Sequence, residues 1–188
     1  DGFTITGGIG RVITDATGTF SRGGGILISA SSPTLVNCVL DANNCQLGAG
    51  IHAADSVALN LSSISFTNNT GLEGAGAYFL NVGAVIINGC TFQNNSAQTA
   101  GGALTLDACN GADVLNSVFD NNSALIGGAL DAKVTSIQIV ECQFTNNEAT
   151  LIGGGATFFH SPCSPWAIIA ATITHASPNA AHGTRPPI

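Results

Sequence analysis

Basic residues are nearly absent from this chain. Four Lys and Arg stand against eleven Asp and Glu, a formal net charge of −7 over 188 residues. Recognition of nucleic acid or another polyanion rests on basic side chains, so that class of partner is excluded. Long apolar runs are missing too. No stretch reaches the roughly 18 residues that a transmembrane helix requires. There is no methionine, at position 1 or elsewhere, and no signal-peptide pattern opens the chain. The expectation is a processed mature chain or a piece of a longer one.

Glycine, asparagine and small residues are plentiful, and six cysteines stand among them. Cysteines in a Lys-poor chain of this kind point to an oxidising, extracellular setting. The other reading is that some are small core residues.

The glycines carry a period. GGGI begins at Gly23, GAGI at Gly48, GAGA at Gly74, GGAL at Gly101 and Gly127, and GGGA at Gly153, in steps of 25, 26, 27, 26 and 26 residues. A second marker keeps the same register: Leu40/Asn43, Phe66/Asn69, Phe92/Asn95, Phe119/Asn122 and Phe144/Asn147. Between the markers apolar residues alternate with period two, a strand signal. One inward pair follows each glycine bend, such as Ala77 and Phe79. A second lies at Val85 and Ile87, and a third at Cys90 and Phe92.

The pattern predicts an all-β, single-stranded parallel β-helix of about 26 residues per coil. Each coil has three short strands and three bends. One repeat cannot bury its apolar side alone. Stacking coils about 4.8 Å apart closes a shared core. Coils start near residues 23, 48, 74, 101, 127 and 153, with a partial coil before 23, and the helix covers 1–175. Residues 176–188 read as a Pro-containing tail. Leu40, Phe66, Phe92, Phe119 and Phe144 form an interior stack. Asn43, Asn69, Asn95, Asn122 and Asn147 form a turn column, where Asn tolerates the left-handed backbone and amides can bond from coil to coil.

Phe3 and Ile5 read as inward residues of a preceding strand, and residues 9–22 as an enlarged loop. Trp166, Ile168, Ala171 and Ile173 read as inward residues of a last pair of strands. No capping helix is expected at either end.

The GGAL segments at 101–104 and 127–130, with the FTNN, FQNN, FDNN and FTNN segments beginning at Phe66, Phe92, Phe119 and Phe144, resemble the repeats of the polymorphic membrane protein family of surface autotransporters. DGFTITGG and SSPTLVNC (31–38) are similar to openings common in secreted β-helix proteins. The resemblance covers about residues 1–173. It implies a right-handed coil, in keeping with the rule for parallel crossovers. It also implies a secreted or surface location and a role in adhesion or surface structure. The membrane barrel of the autotransporters has no counterpart in these residues.

The outward residues of the first strand test for chemistry: Leu27, His52, Tyr78, Thr105 with Asp107, Asp131 with Lys133, and Thr157. Asp107, Asp131 and Lys133 fall on neighbouring coils and suggest Ca²⁺ and a base. Two carboxylates are few for an ion that takes about six to eight oxygens, so an Asp107–Lys133 surface ion pair is the expectation. The same list is no Thr column, which excludes a flat ice-binding face. His160 and Cys163 make only a local pair, and His52, His160, His175 and His182 are expected at the surface or in loops. No metal, cofactor or catalytic residue is assigned.

Four sequons stand at Asn60, Asn68, Asn94 and Asn121. They read either as a row of glycans or as a by-product of an NN-plus-small-polar repeat. Cys38, Cys90 and Cys142 share an inward column too widely spaced for mutual disulfides, leaving Cys45, Cys109 or Cys163 as partners. Leu27, Tyr78, Leu80 and Phe159 form an apolar stripe on the first face, and Val36, Leu115 and Val140 point out from the second. The stripe suggests an interface.

The expected function is an extracellular or cell-surface structural or adhesive module, not an enzyme. Its partners are other copies stacked end to end into a fibre, or surface glycans. The alternatives are a fragment of a longer adhesin or autotransporter passenger, and a polysaccharide lyase- or hydrolase-like β-helix.

Overall fold

The structure is a computed structural model that describes residues 2–133, 136–159, 167–174 and 181–183. It is a parallel β-helix. One coil shows the plan. Ala77–Leu80, Ala84–Asn88, Thr91–Gln93 and Ser96–Ala100 follow one another, and Leu104–Asp107 opens the next coil. Residues at positive φ mark the bends between them: Gly74, Asn81, Gly89 and Asn94.

The coil therefore has four strands, where three were expected. The fourth lies between the Asn bend and the Gly bend, in the sheet of Thr70–Glu73, Ser96–Ala100, Ser123–Ile126 and Glu148–Ile152. Its inward residues are small. Ala97, Ala124 and Ala149 are buried there, so the alternation carries little apolar contrast. Pairing on this side shifts register by local bulges in successive coils.

The interior stack forms as read. Leu40 pairs with Phe66, Phe66 with Phe92, Phe92 with Phe119 and Phe119 with Phe144. The four phenyl rings lie parallel within 2°, with centroids 4.5–4.7 Å apart. That spacing is the strand spacing, so the backbone ladder sets the ring geometry. Each buried ring stabilises by roughly 1.5–3 kcal/mol.

The asparagine column divides into two ladders. Asn43, Asn69, Asn95, Asn122 and Asn147 are at most 2% exposed. In each step the Nδ2 and main-chain N–H donate to Oδ1 of the asparagine one coil on, at 2.9–3.1 Å. Nδ2 also donates back to a carbonyl of the preceding coil, that of Phe66 in the case of Asn95. These residues do not hold the left-handed backbone, as expected above. The positive φ falls one residue earlier, at Ala42, Asn68, Asn94, Asn121 and Asn146. The left-handed residue turns the chain, and the next asparagine is thereby aimed inward.

Residues 9–22 are no open loop. Arg11–Asp15 and Gly18–Arg22 pair as an antiparallel hairpin. Arg22 clamps its turn with hydrogen bonds to Asp15 at 2.6 and 3.0 Å and to Thr17 at 2.7 Å. Leu47 donates to Ser21 and accepts from Gly23, which joins the hairpin to the first coils. Ser21 and Gln46 add a reciprocal pair of bonds.

Ile5 pairs with Leu40 and is half-buried. Phe3 sits in the Cys38 column but is 66% exposed, because no described residue covers that column beyond it. At the other end Ala167–Thr174 is one continuous strand. Ile168, Ala171 and Ile173 lie in the columns of Ile139, Cys142 and Phe144. Trp166 lies outside the described residues. Within the segment read as a tail, Ala181–Gly183 pairs in parallel with Ala156–Phe158. No described helix is long and apolar enough to cross a membrane.

Candidate functional site

The first face is not an open surface. His52, Tyr78, Thr105, Asp131 and Thr157, expected to point into solvent, are 0–6% exposed. The glycine bends explain this. A Cβ on Gly74 would lie 2.9 Å from Tyr78 Cβ, and one on Gly153 2.5 Å from Thr157 Cγ2. The bend curls over the strand that follows, and its bare backbone roofs the side chains beneath. These glycines serve twice, by positive φ and by lack of volume. The hairpin adds a second cover at the N-terminal coils, with Thr17 and Phe20 facing Tyr78 and Leu80.

This covered layer holds a cluster of charged contacts. Lys133 donates to Glu73 at 2.9 Å, across two coils, and its ammonium lies 3.5 Å from Asp131 Oδ2. Thr157 donates to Asp131 Oδ1 at 2.7 Å. Tyr78 donates to Asp107 at 3.2 Å and stacks on His52, with ring centroids 5.4 Å apart. Between them opens a cleft of about 260 Å³ lined by Thr17, Phe20, Tyr78, Leu80, Asp107 and Lys133.

Burial sets the electrostatics. It pushes the Asp131 carboxyl up, against the pull of Thr157 and Lys133. It also works against the Lys133 charge, but Glu73, then Asp131 and Asp107, outweigh it and hold the ammonium above its usual range. Burial raises the Tyr78 hydroxyl, helped by the charges of Asp107 and Glu73. His52 is pushed down to about 4 by burial and then by the nearby Arg22 charge. Both its ring nitrogens lack a hydrogen-bond partner among the described residues.

The expected Asp107–Lys133 surface pair is thus replaced. Lys133 takes Glu73 and Asp131 as partners, while Asp107 accepts from Tyr78. The Lys133 ammonium sits between Glu73 and Asp131, the place a bound cation would take. Period-two alternation had no means to find Glu73, which stands just before a glycine bend and sixty residues from Lys133.

The apolar stripe also changes character. Tyr78 is buried and Leu27 and Leu80 are half-buried, while the Phe159 side chain lies outside the described residues. Val36, Leu115 and Val140 are half-buried. Among the described residues the most exposed large apolar side chains are elsewhere: Val57 at 80%, Ile9 at 76% and Val12 at 67%. A second, larger groove of about 670 Å³ runs along the fourth side, lined by the apolar Ile9 and Leu72 together with the neutral polar groups of Ser21, Asn44, Gln46 and Gln98.

The sequons Asn68, Asn94 and Asn121 are exposed and form the outer ladder. Asn121 donates to Asn94 at 2.7 Å, Asn94 to Asn68 at 3.4 Å, and Asn68 to Asp41 at 2.8 Å. Asn60 is half-buried in the strand Ala58–Ser62. Cys38, Cys45, Cys90, Cys109 and Cys142 are buried free thiols, so no disulfide joins any two of them. Burial raises Cys90 and Cys109 to about 11. Cys163, His160 and His175 lie outside the described residues, and so does the His182 side chain.

Residues 1–164 match the family described as the right-handed beta helix region. No curated protein and no solved structure matches the chain. The match covers most of the 188 residues and agrees with the coil geometry. This chain belongs to the right-handed β-helix family.

Proposed function

We propose that this chain is a structural and adhesive module that works outside the cell or on its surface. One observation carries the reading: Asp131 and Lys133, the buried carboxylate and the amine of the first face, are held by other groups of the protein. A lyase or hydrolase needs an acid or base free to meet its substrate. Here Asp131 is 0% exposed and bonded to Thr157, and Lys133 is held by Glu73. The surface groove that stays open is uncharged and combines amides and hydroxyls with the apolar Ile9 and Leu72, which suits contact with sugars or other chains. The GGAL and F-x-x-N resemblance to polymorphic membrane protein repeats supports the surface location. Stacking of coils into a fibre is the assembled form of the same reading, since a coil edge carries the N–H and C=O groups that recruit a further strand.

The test pairs retention with turnover. The protein is incubated with intact, unpermeabilised source cells and with a panel of acidic and neutral polysaccharides, with and without Ca²⁺. The expected result is retention on cells or glycans with every polymer left intact. Cleavage that disappears in Asp107→Asn would overturn the reading. It would establish instead the carbohydrate-active alternative, which the cleft between Asp107, Tyr78 and Lys133 favours.

A further inference from the structure

One strand of the hairpin has an outer edge that no described residue pairs. The other strand, Gly18–Arg22, is bridged to the coils through Arg22 and Leu47, so Arg11–Asp15 is the outermost strand of that side. The hairpin register pairs Asp15 with Gly18, Ile13 with Phe20 and Arg11 with Arg22. In an antiparallel pair closed by a two-residue turn, those positions turn their N–H and C=O groups to each other. The groups of Val12 and Thr14 therefore point away from the hairpin. Neither has a backbone partner among the described residues. Val12 is 67% exposed, and Arg11, Thr14 and Asp15 are exposed as well.

From this edge we infer that Arg11–Asp15 is a self-complementary docking strand whose occupant is the same strand of a second copy. The segment reads Arg-Val-Ile-Thr-Asp, with opposite charges at its ends. Laid antiparallel with Ile13 opposite Ile13, it sets Val12 against Thr14 of the other copy. Those are the two residues whose free groups face outward, so each donates to and accepts from the other. The same register sets Arg11 against Asp15 of the other copy at both ends. Asp15 keeps a side chain 38% exposed beyond its bond to Arg22. A register slipped by one residue would oppose groups that point inward and separate the charges. Hydrogen bonding and charge thus select one alignment. The contact is isologous and closes as a dimer, unlike stacking of coil ends, which propagates. An interface this short is a reversible one.

Sedimentation equilibrium of the 188-residue protein, from about 1 μM to 1 mM, tests it. The expected result is a monomer–dimer equilibrium, with hydrogen exchange at the Val12 and Thr14 amides slowing as concentration rises while Ile13 is unchanged. Val12→Pro removes an outward N–H that the hairpin itself does not use. It should weaken association by roughly tenfold or more with the thermal midpoint unchanged. Arg11→Glu, which places like charges together, should weaken it as well. A monomer throughout the range would overturn the inference. So would association that Val12→Pro leaves unchanged, which would move the contact to the coil ends.

Discussion

Asn94 and Asn95 are neighbours of the same type, and the structure predicts opposite fates for them on mutation. Asn95 is 0% exposed. Its Oδ1 accepts from the Asn69 main-chain N–H at 3.1 Å and from Asn69 Nδ2 at 3.0 Å. Its Nδ2 donates to the Phe66 carbonyl at 2.9 Å and to Asn122 Oδ1 at 3.0 Å. Asn95→Ala strands the Asn69 main-chain N–H and one of the two Asn69 Nδ2 hydrogens, the other staying on the Leu40 carbonyl, and leaves the Phe66 carbonyl short of one donor. At about 1–3 kcal/mol for each of the two stranded donor hydrogens, the loss is about 2–6 kcal/mol. That is a large share of a domain's usual stability of about 5–15 kcal/mol. Asn94 lies outside, and its bonds to Asn68 and Asn121 can pass to water. Its main task is a φ of 56°. Asn94→Ala should cost about 1–2 kcal/mol, and Asn94→Gly close to nothing. Urea unfolding followed by far-UV circular dichroism reads both. Asn95→Asp adds a sharper check. Its second oxygen would face the Phe66 carbonyl and Asn122 Oδ1, so the variant should gain stability as acid protonates it. If Asn95→Ala and Asn94→Ala unfold within about 1 kcal/mol of each other, the inner ladder does not hold the coils.

Three further outcomes follow from the core and the covered layer. Phe92→Ala should cost about 3–5 kcal/mol in urea unfolding, and Phe92→Leu much less, because Leu40 already fills that column in another coil. His52 has its usual value of 6.5 when unfolded and about 4 when folded. Its neutral form is thus favoured in the fold, and stability present above pH 6.5 is lost as pH falls towards 4, by about 3 kcal/mol. Denaturation midpoints across that window should fall more steeply for the wild type than for His52→Gln, and equal slopes would refute the assignment. Thiol reagents should leave Cys90 and Cys109 unlabelled in native Cys163→Ser protein at pH 8, and label them at the rate of unfolding. Fast native labelling would refute the buried placement.

The coil period was legible because special residues mark it. A glycine with positive φ and a buried asparagine tolerate few replacements, so they recur in the open. The fourth strand was quiet because Ala97, Ala124 and Ala149 give little contrast with their polar neighbours. The hairpin has no counterpart among the described residues of the other coils, and periodicity is silent about a segment that does not recur. Which member of an Asn-Asn pair turns the chain is a matter of backbone geometry that residue type alone does not decide. The covered first face was misread for a physical reason. Alternation tells which side of a strand a residue takes, but not whether a preceding bend folds back over it. Glu73 and Lys133 met only through that fold-back, which is why the charge cluster was invisible and its isolated members, Asp107 and Asp131, were not.

The register shifts on the fourth side have a consequence for how such a chain changes length. From the buried asparagine to the glycine bend the spacing is five residues after Asn43, Asn69 and Asn122, and six after Asn95 and Asn147. The third strand and the asparagine bend that follows it hold one spacing throughout, from Phe66 to Asn69 and from Phe144 to Asn147 alike. The bulges between Gly71 and Glu73, Ser96 and Ala100, and Ala124 and Ile126 take up the difference. That side is one expansion joint of the rod. A residue gained or lost there leaves the aromatic and amide columns aligned, whereas the same change between Phe92 and Asn95 would unhook every coil beyond it.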